Sequence, residues 1–190
     1  MALFKVPENV SVDDFFKNHV PKQFAEMTKS ADMSSMAGKE FTVQFDVSGK
    51  KYCLRIKDGK SLEVIAGGID KPVLGVKLNE PDWRDTVTGK IEGVIDRFTD
   101  PTQAADPAMF SNLLSTRGTL HVELRKPDGN LMPFSMTFNG EATPAATIKL
   151  SLADWISMQK KETNGQNLFM AGKMQFDGDV VFLMSLNNLL

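Results

Sequence analysis

Two short stretches of this sequence share one pattern. Val76-Lys77-Leu78-Asn79-Glu80-Pro81-Asp82-Trp83 and Ile148-Lys149-Leu150-Ser151-Leu152-Ala153-Asp154-Trp155 stand 72 residues apart. Each reads apolar, Lys, Leu, a cap residue, two further residues, then Asp-Trp. The alternation up to Leu78 and Leu150 is that of a half-buried strand. Asn79 and Ser151 suit a helix N-cap, because a short polar side chain can accept from the first free helical N–H groups. The pattern therefore predicts, twice, a strand that runs straight into a capped helix carrying a Trp.

What precedes each junction is also alike. Phe41, Val43, Phe45 and Val47 alternate with polar residues up to Ser48-Gly49-Lys50, and Tyr52, Leu54 and Ile56 alternate up to Asp58-Gly59. Leu62 and Val64 continue the alternation to Gly67-Gly68, and Leu74, Val76 and Leu78 supply a fourth strand. Further on, Leu120, Val122 and Leu124 lead through Pro127-Asp128-Gly129-Asn130 to Phe134, Met136 and Phe138, and Asn139-Gly140 leads to Ile148 and Leu150. Period two broken by Gly-containing turns predicts hairpins. The expected domain spans 1–190, with two similar halves at about 38–98 and 118–190. An internal duplication accounts for this; so does one local solution used twice for a sheet-to-helix transition.

Helices fill the remainder. Val12, Phe15, Phe16, Val20, Phe24 and Met27 recur at helical spacing, with Ser11 as a cap and Pro21 opening a second helix. Residues 28–38 read as a loop, and residues 91–98 form an element around Val94, Ile95 and Phe98. Asp106-Pro107 starts a helix bearing Met109, Phe110, Leu113 and Leu114. The fold class is α+β, a mostly antiparallel sheet with helices packed on one face.

The C-terminal stretch carries the functional signal. Gly165 opens a short apolar piece, Gly172-Lys173 and Gly178-Asp179 bracket a five-residue strand, and Asp179 caps a closing helix. Val180, Val181, Phe182, Leu183, Met184, Leu186, Leu189 and Leu190 make that helix, about 12 residues long, apolar around most of its circumference. A helix apolar all round is expected to be buried on several sides, and one this short does not cross a bilayer.

Trp155, Gly165, Phe169 ahead of Gly172-Lys173, and Gly178-Asp179 leading to a final apolar helix resemble the C-terminal half of the sterol carrier protein type 2 (SCP-2) family. The N-terminal helix, the meander around Phe45 to Gly49, the Asp58-Gly59 turn and the Asp82-Trp83 helix resemble its first half, which leaves residues 85–135 unassigned. The resemblance implies a hydrophobic tunnel between sheet and helices that takes a sterol, fatty acid, fatty acyl-CoA or phospholipid tail. Its walls would come from Met109, Phe110, Leu113, Phe169, Met170, Met174, Phe176, Phe182, Leu183 and Leu186.

Other chemistries lack their residues. His19 and His121 lie far apart, no cluster has metal-ligand spacing, and no nucleophile elbow, phosphate loop or dinucleotide fingerprint occurs. Cys53 sits at an outward strand position without a nearby His. A net charge of -2 without a basic run disfavours nucleic acid. The single cysteine excludes an internal disulfide and, with no secretory or peroxisomal signal, points to the cytoplasm. Eleven methionines suit a deformable apolar pocket or plain core filler.

The expectation is a non-catalytic, cofactor-free lipid-binding or lipid-carrier protein without stable membrane insertion. A lipid-metabolising enzyme or a second copy of the chain are its candidate protein partners. The alternative is a lipid-free interaction module that docks through its apolar C-terminal helix.

Overall fold

The computed structural model describes residues 6–30, 33–94, 106–186 and 189. Its framework is one eight-stranded sheet. The strands are β1 (Glu40–Val47), β2 (Lys50–Lys57), β3 (Ser61–Ala66), β4 (Leu74–Leu78), β5 (Gly118–Arg125), β6 (Leu131–Phe138), β7 (Ala145–Ser151) and β8 (Met174–Gly178). The spatial order is β3-β2-β1-β4-β6-β5-β7-β8. Two neighbouring pairs, β1/β4 and β5/β7, run parallel, and the others run antiparallel.

This order contains the same unit twice. In each, a hairpin (β1-β2, then β5-β6) is followed by a strand parallel to its first member (β4, then β7). Each third strand then enters its Trp helix, α3 (Glu80–Val87) or α5 (Leu152–Gln159). The register agrees in detail. Asp46 lies opposite Lys77 in the first unit and Glu123 opposite Lys149 in the second, the latter pair closing to 3.2 Å. Both helices are capped as the sequence implies: Asn79 accepts from the Asp82 N–H at 2.8 Å, and Ser151 from the Asp154 N–H at 3.0 Å. The units meet at β4-β6, where Leu74 pairs with Phe138 and Leu78 with Phe134.

Local chemistry explains the strand ends. Ser48 and Gly49 both have positive φ, forming the two-residue turn whose twist suits a hairpin, and Asp46 accepts from the Gly49 N–H at 2.8 Å. Pro133 stands just beyond the last residue that β4 pairs, so β6 is locally an edge where it lacks an N–H.

One sheet face is apolar and covered by helices. In the N-terminal half, α1 (Val12–Asp14), a π-helical turn (Phe15–His19) and α2 (Val20–Ser30) lie over it. Phe16 stacks on Tyr52 at 4.9 Å, and Phe15 meets Trp83 edge-on at 5.3 Å. The helix therefore extends to Ser30, into the span expected as loop, and Ser34–Met36 form a 3₁₀ turn. In the C-terminal half, Leu120, Val122, Leu124, Phe134, Ile148 and Leu150 face Trp155, Met158 and further helical side chains. Leu78 packs against both cores. The opposite face carries His121, Ser135, Glu123 and Lys149. Cys53 lies on that face yet is fully buried, between the register partners Gln44 and Ile65. The element expected around Ile95 and Phe98 lies outside the described residues.

Candidate functional site

The C-terminal half is completed by α4 (Pro107–Ser115), α6 (Gly165–Met170) and α7 (Val180–Ser185). Each motif residue there has a physical task. Asp106 caps α4 by accepting from the Ala108 N–H at 2.9 Å. Asn164 caps α6 by accepting from the Asn167 N–H at 2.9 Å, which makes the short apolar piece a helix. Gly178 has φ +93, and a Cβ there would lie 2.5 Å from the Ala145 carbonyl oxygen, so only Gly fits. The next residue, Asp179, donates its N–H to that same carbonyl at 2.9 Å while its carboxylate accepts from the Phe182 N–H at 2.8 Å. Lys173 reaches Asp154 at 3.6 Å, tying the strand entry to the cap of α5. Trp155 is buried, donates its indole N–H to the Val94 carbonyl at 3.1 Å, and meets Phe134 edge-on at 5.5 Å.

The structure brings most of the expected wall residues together. Met109, Leu113, Met174, Phe182 and Leu186 are buried in one core, with Phe176 and Leu183 packed against it. Phe182 meets Phe138 at 6.4 Å. Phe110 is also buried, but it points to Phe41 and lies beneath the Lys39 ammonium at 5.1 Å. Phe169 and Met170 are exposed instead, and the Phe169 ring meets Phe176 at 5.1 Å.

The closing helix departs from the sequence expectation. Its helical part is six residues long, ending at Ser185. Among the described residues, Phe182, Leu186 and Leu189, at spacings of four and three, are fully buried, and Leu183 is half-buried against the same core. Val181 is 80% exposed and Met184 68%, because a single helix laid on a sheet can bury one stripe only. With Phe169, Met170 and Val180 they leave several large apolar side chains in solvent on α6 and α7, either side of β8 in sequence.

A surface cleft of about 480 Å³ lies elsewhere, between the end of α3, residues 90–92, the β5-β6 turn and α5. None of the wall candidates lines it, and its rim is charged: Asp85, Lys90, Glu92, Lys126 and Asp128. Lys126 bonds Asp82 at 2.9 Å, and that hydrogen bond pushes the ammonium pKa up. Asp128 is pushed down, chiefly because it accepts from the Asn130 backbone N–H. Among the described residues no cluster of His, Cys, Asp and Glu could hold a metal ion, and no helix is long and apolar enough to cross a membrane.

One side chain escaped the sequence reading. Gln159 is 4% exposed, and neither its Oε1 nor its Nε2 has a hydrogen-bond partner. The signal was available: Leu152, Trp155 and Gln159 fall on one helical stripe, and the last is polar.

Residues 100–190 match the sequence model of the SCP-2 sterol transfer family. Strand β5 and the first part of β6, which the sequence resemblance left unassigned, fall inside this match. No curated protein matches the chain by sequence. Among solved structures, sterol carrier protein 2 from Yarrowia lipolytica is similar at 16% identity, over 53% of this chain and 92% of that one, with a TM-score of 0.37. Sterol carrier protein 2-like 2 from Aedes aegypti is similar at 17% identity, over 55% of this chain and 99% of that one, with a TM-score of 0.40. A sec-alkylsulfatase from a Pseudomonas species is similar at 12% identity over 90% of this chain but 16% of that one, with a TM-score of 0.26.

Proposed function

We propose, from the SCP-2 sterol transfer match over residues 100–190, that this protein is a non-catalytic lipid carrier. The family match supports lipid binding or transfer. The finer reading is that an acyl chain or sterol lies against the apolar sheet face, under α5, α6 and α7. Met109, Leu113, Met174, Phe176, Phe182 and Leu186 would part to admit it, and Phe169, Met170, Val181 and Met184 would line the entry.

The observation that carries this reading is the exposure of apolar side chains beside the family-matched core. Exposed large apolar residues mark interaction sites where they cluster, and here the two helices that carry them flank β8 in sequence and pack on an interior rich in adaptable Met. Each methylene withdrawn from water contributes about 0.8 kcal/mol. A sixteen-carbon chain therefore offers ~12 kcal/mol gross, before the cost of ordering it. The N-terminal half, closed by Phe15, Phe16 and Val20, is read as a duplicated copy that supports the sheet without binding.

Native mass spectrometry of the freshly purified protein, followed by organic extraction, tests the reading. A bound lipid near one equivalent is expected. An empty protein that also fails to take up a fluorescent fatty acid would refute it. The second reading, an interaction module, is favoured by β8, which ends the sheet with one side unpaired. A concentration-dependent dimer in sedimentation, blocked by charge on Val181, would support it.

A further inference from the structure

Gln159 has no structural reason to be polar. Its amide offers one acceptor and two donors, and a buried amide without partners is unfavourable enough to be uncommon in folded proteins. The repeat supplies an internal comparison. The residue at the same place in α3, four beyond Trp83 as Gln159 is four beyond Trp155, is Val87, which is buried among apolar neighbours. The helix position therefore tolerates an apolar residue in one half and carries an unpartnered amide in the half that matches the lipid-transfer family.

The surroundings restrict what could meet this amide. Trp155, Met158 and Leu168, buried in the core that α5 covers, are apolar apart from an indole N–H already bonded to Val94. His121, Glu123 and Lys149 of β5 and β7 lie on the opposite face of the sheet. Glu92, Lys160, Lys161, Glu162 and Lys173, on the segments that adjoin α5, are exposed. The buried carboxylate Asp82 belongs to the other half and is paired with Lys126. No buried cation among the described residues stands ready to neutralise an anion here.

We propose that Gln159 is the polar anchor of the lipid site and that it selects a fatty acid held by its un-ionised carboxyl group. This rests on the carrier reading above. A protonated carboxyl presents a carbonyl acceptor beside an O–H donor, so it pairs with both Nε2–H and Oε1 of a primary amide in one plane. An ionised carboxylate can only accept, which leaves Oε1 unpaired and places a bare charge in an apolar interior. An ester also only accepts. The acid therefore takes up one proton from solution as it binds, and no other bond changes.

Titration calorimetry with palmitate in two buffers of different ionisation enthalpy counts that proton. About one proton absorbed per palmitate is expected at pH 8, with affinity falling roughly tenfold per pH unit above neutrality, since only the protonated form binds. Gln159→Met, similar in length and apolar, is expected to lose at least about tenfold in palmitate affinity. Its affinity for methyl palmitate should hold or rise, and its Tm should not fall, which a merely structural Gln would not allow. Zero proton uptake by the wild-type protein overturns the proposal, as does a Gln159→Met variant that binds palmitate normally. If methyl palmitate binds both proteins alike and palmitate shows no dependence on Gln159, the anchor falls while the carrier reading stands. If palmitate, methyl palmitate and cholesterol all fail to bind the wild type, the carrier reading itself falls.

Discussion

Lys126→Met should destabilise this protein far more than Lys173→Met, although each removes a lysine from the first-turn aspartate of a Trp helix, Asp82 or Asp154. Lys126 and Asp82 are 18% and 6% exposed and 2.9 Å apart. Lys173 and Asp154 are 60% and 21% exposed and 3.6 Å apart. Removing one member of a buried pair strands the other charge, at ~3–5 kcal/mol. Asp82 would keep the Asn79 side-chain amide as a donor, which lowers the expected loss to about 2–3 kcal/mol. The exposed pair is worth ~0–1 kcal/mol. Urea unfolding read by Trp fluorescence should show a clear drop in midpoint for Lys126→Met at unchanged m-value. Because the folded pKa of Lys126 is raised, its contribution is complete below about pH 10.5 and is lost as pH rises through the higher folded value. The gap between wild type and Lys126→Met should therefore stay flat from neutral pH to about pH 10 and close above that. Equal losses in the two variants, or a smaller loss for Lys126→Met, would refute the reasoning.

Three further outcomes are expected. Tyr52, the one tyrosine in the chain, donates to the Asp13 carboxylate, and that bond with burial pushes its pKa up to about 12. Phenolate absorbance in the native protein should titrate near that value and move back toward 10 in Asp13→Asn; an unmoved midpoint would exclude the bond as the cause. Val181→Asp and Met184→Asp, at exposed positions, should change stability by less than about 0.5 kcal/mol while lowering uptake of a fluorescent fatty acid several-fold. Normal uptake would remove α7 from the entry. Phe182→Asp and Leu186→Asp are poorer probes, since both residues are buried and an uncompensated charge there unfolds the core. Finally, burial pushes the Cys53 thiol up, so a thiol reagent such as Ellman's should react only after unfolding, with one equivalent released; rapid reaction of the native protein would contradict the burial.

The strands were legible because each carries period-two alternation and ends at a turn with its own chemistry, as Ser48-Gly49 does. The Trp helices were legible from Asn79 and Ser151, whose caps formed as their side chains require. The parallel neighbours β1/β4 and β5/β7 were not, because strands joined by long connections leave no local trace of which neighbour they choose. Exposure was misjudged in both directions for one reason: neighbours decide it. Alternation put Cys53 outward, where the side chains beside it cover so small a group. Composition put Val181 inward, where the sheet offers room for one stripe. Gln159 could have been noticed as a break in the α5 stripe, but its lack of a partner is a three-dimensional fact.

The seam at β4-β6 has a consequence for how the halves can be separated. Cut from its neighbour, the C-terminal half would present β6 from Phe134 to Phe138 as a bare border of unpaired N–H and C=O groups. Such a border templates strand addition from any other chain. The N-terminal half shields it, and β3 then holds the outer margin, where Glu63 is bridged to Arg55 of the neighbouring β2 at 2.8 Å. On this view the extra half does for solubility what a longer core could not. It moves the free edge of the sheet from a strand of Phe and Met to a strand on which Glu63 carries an ion pair.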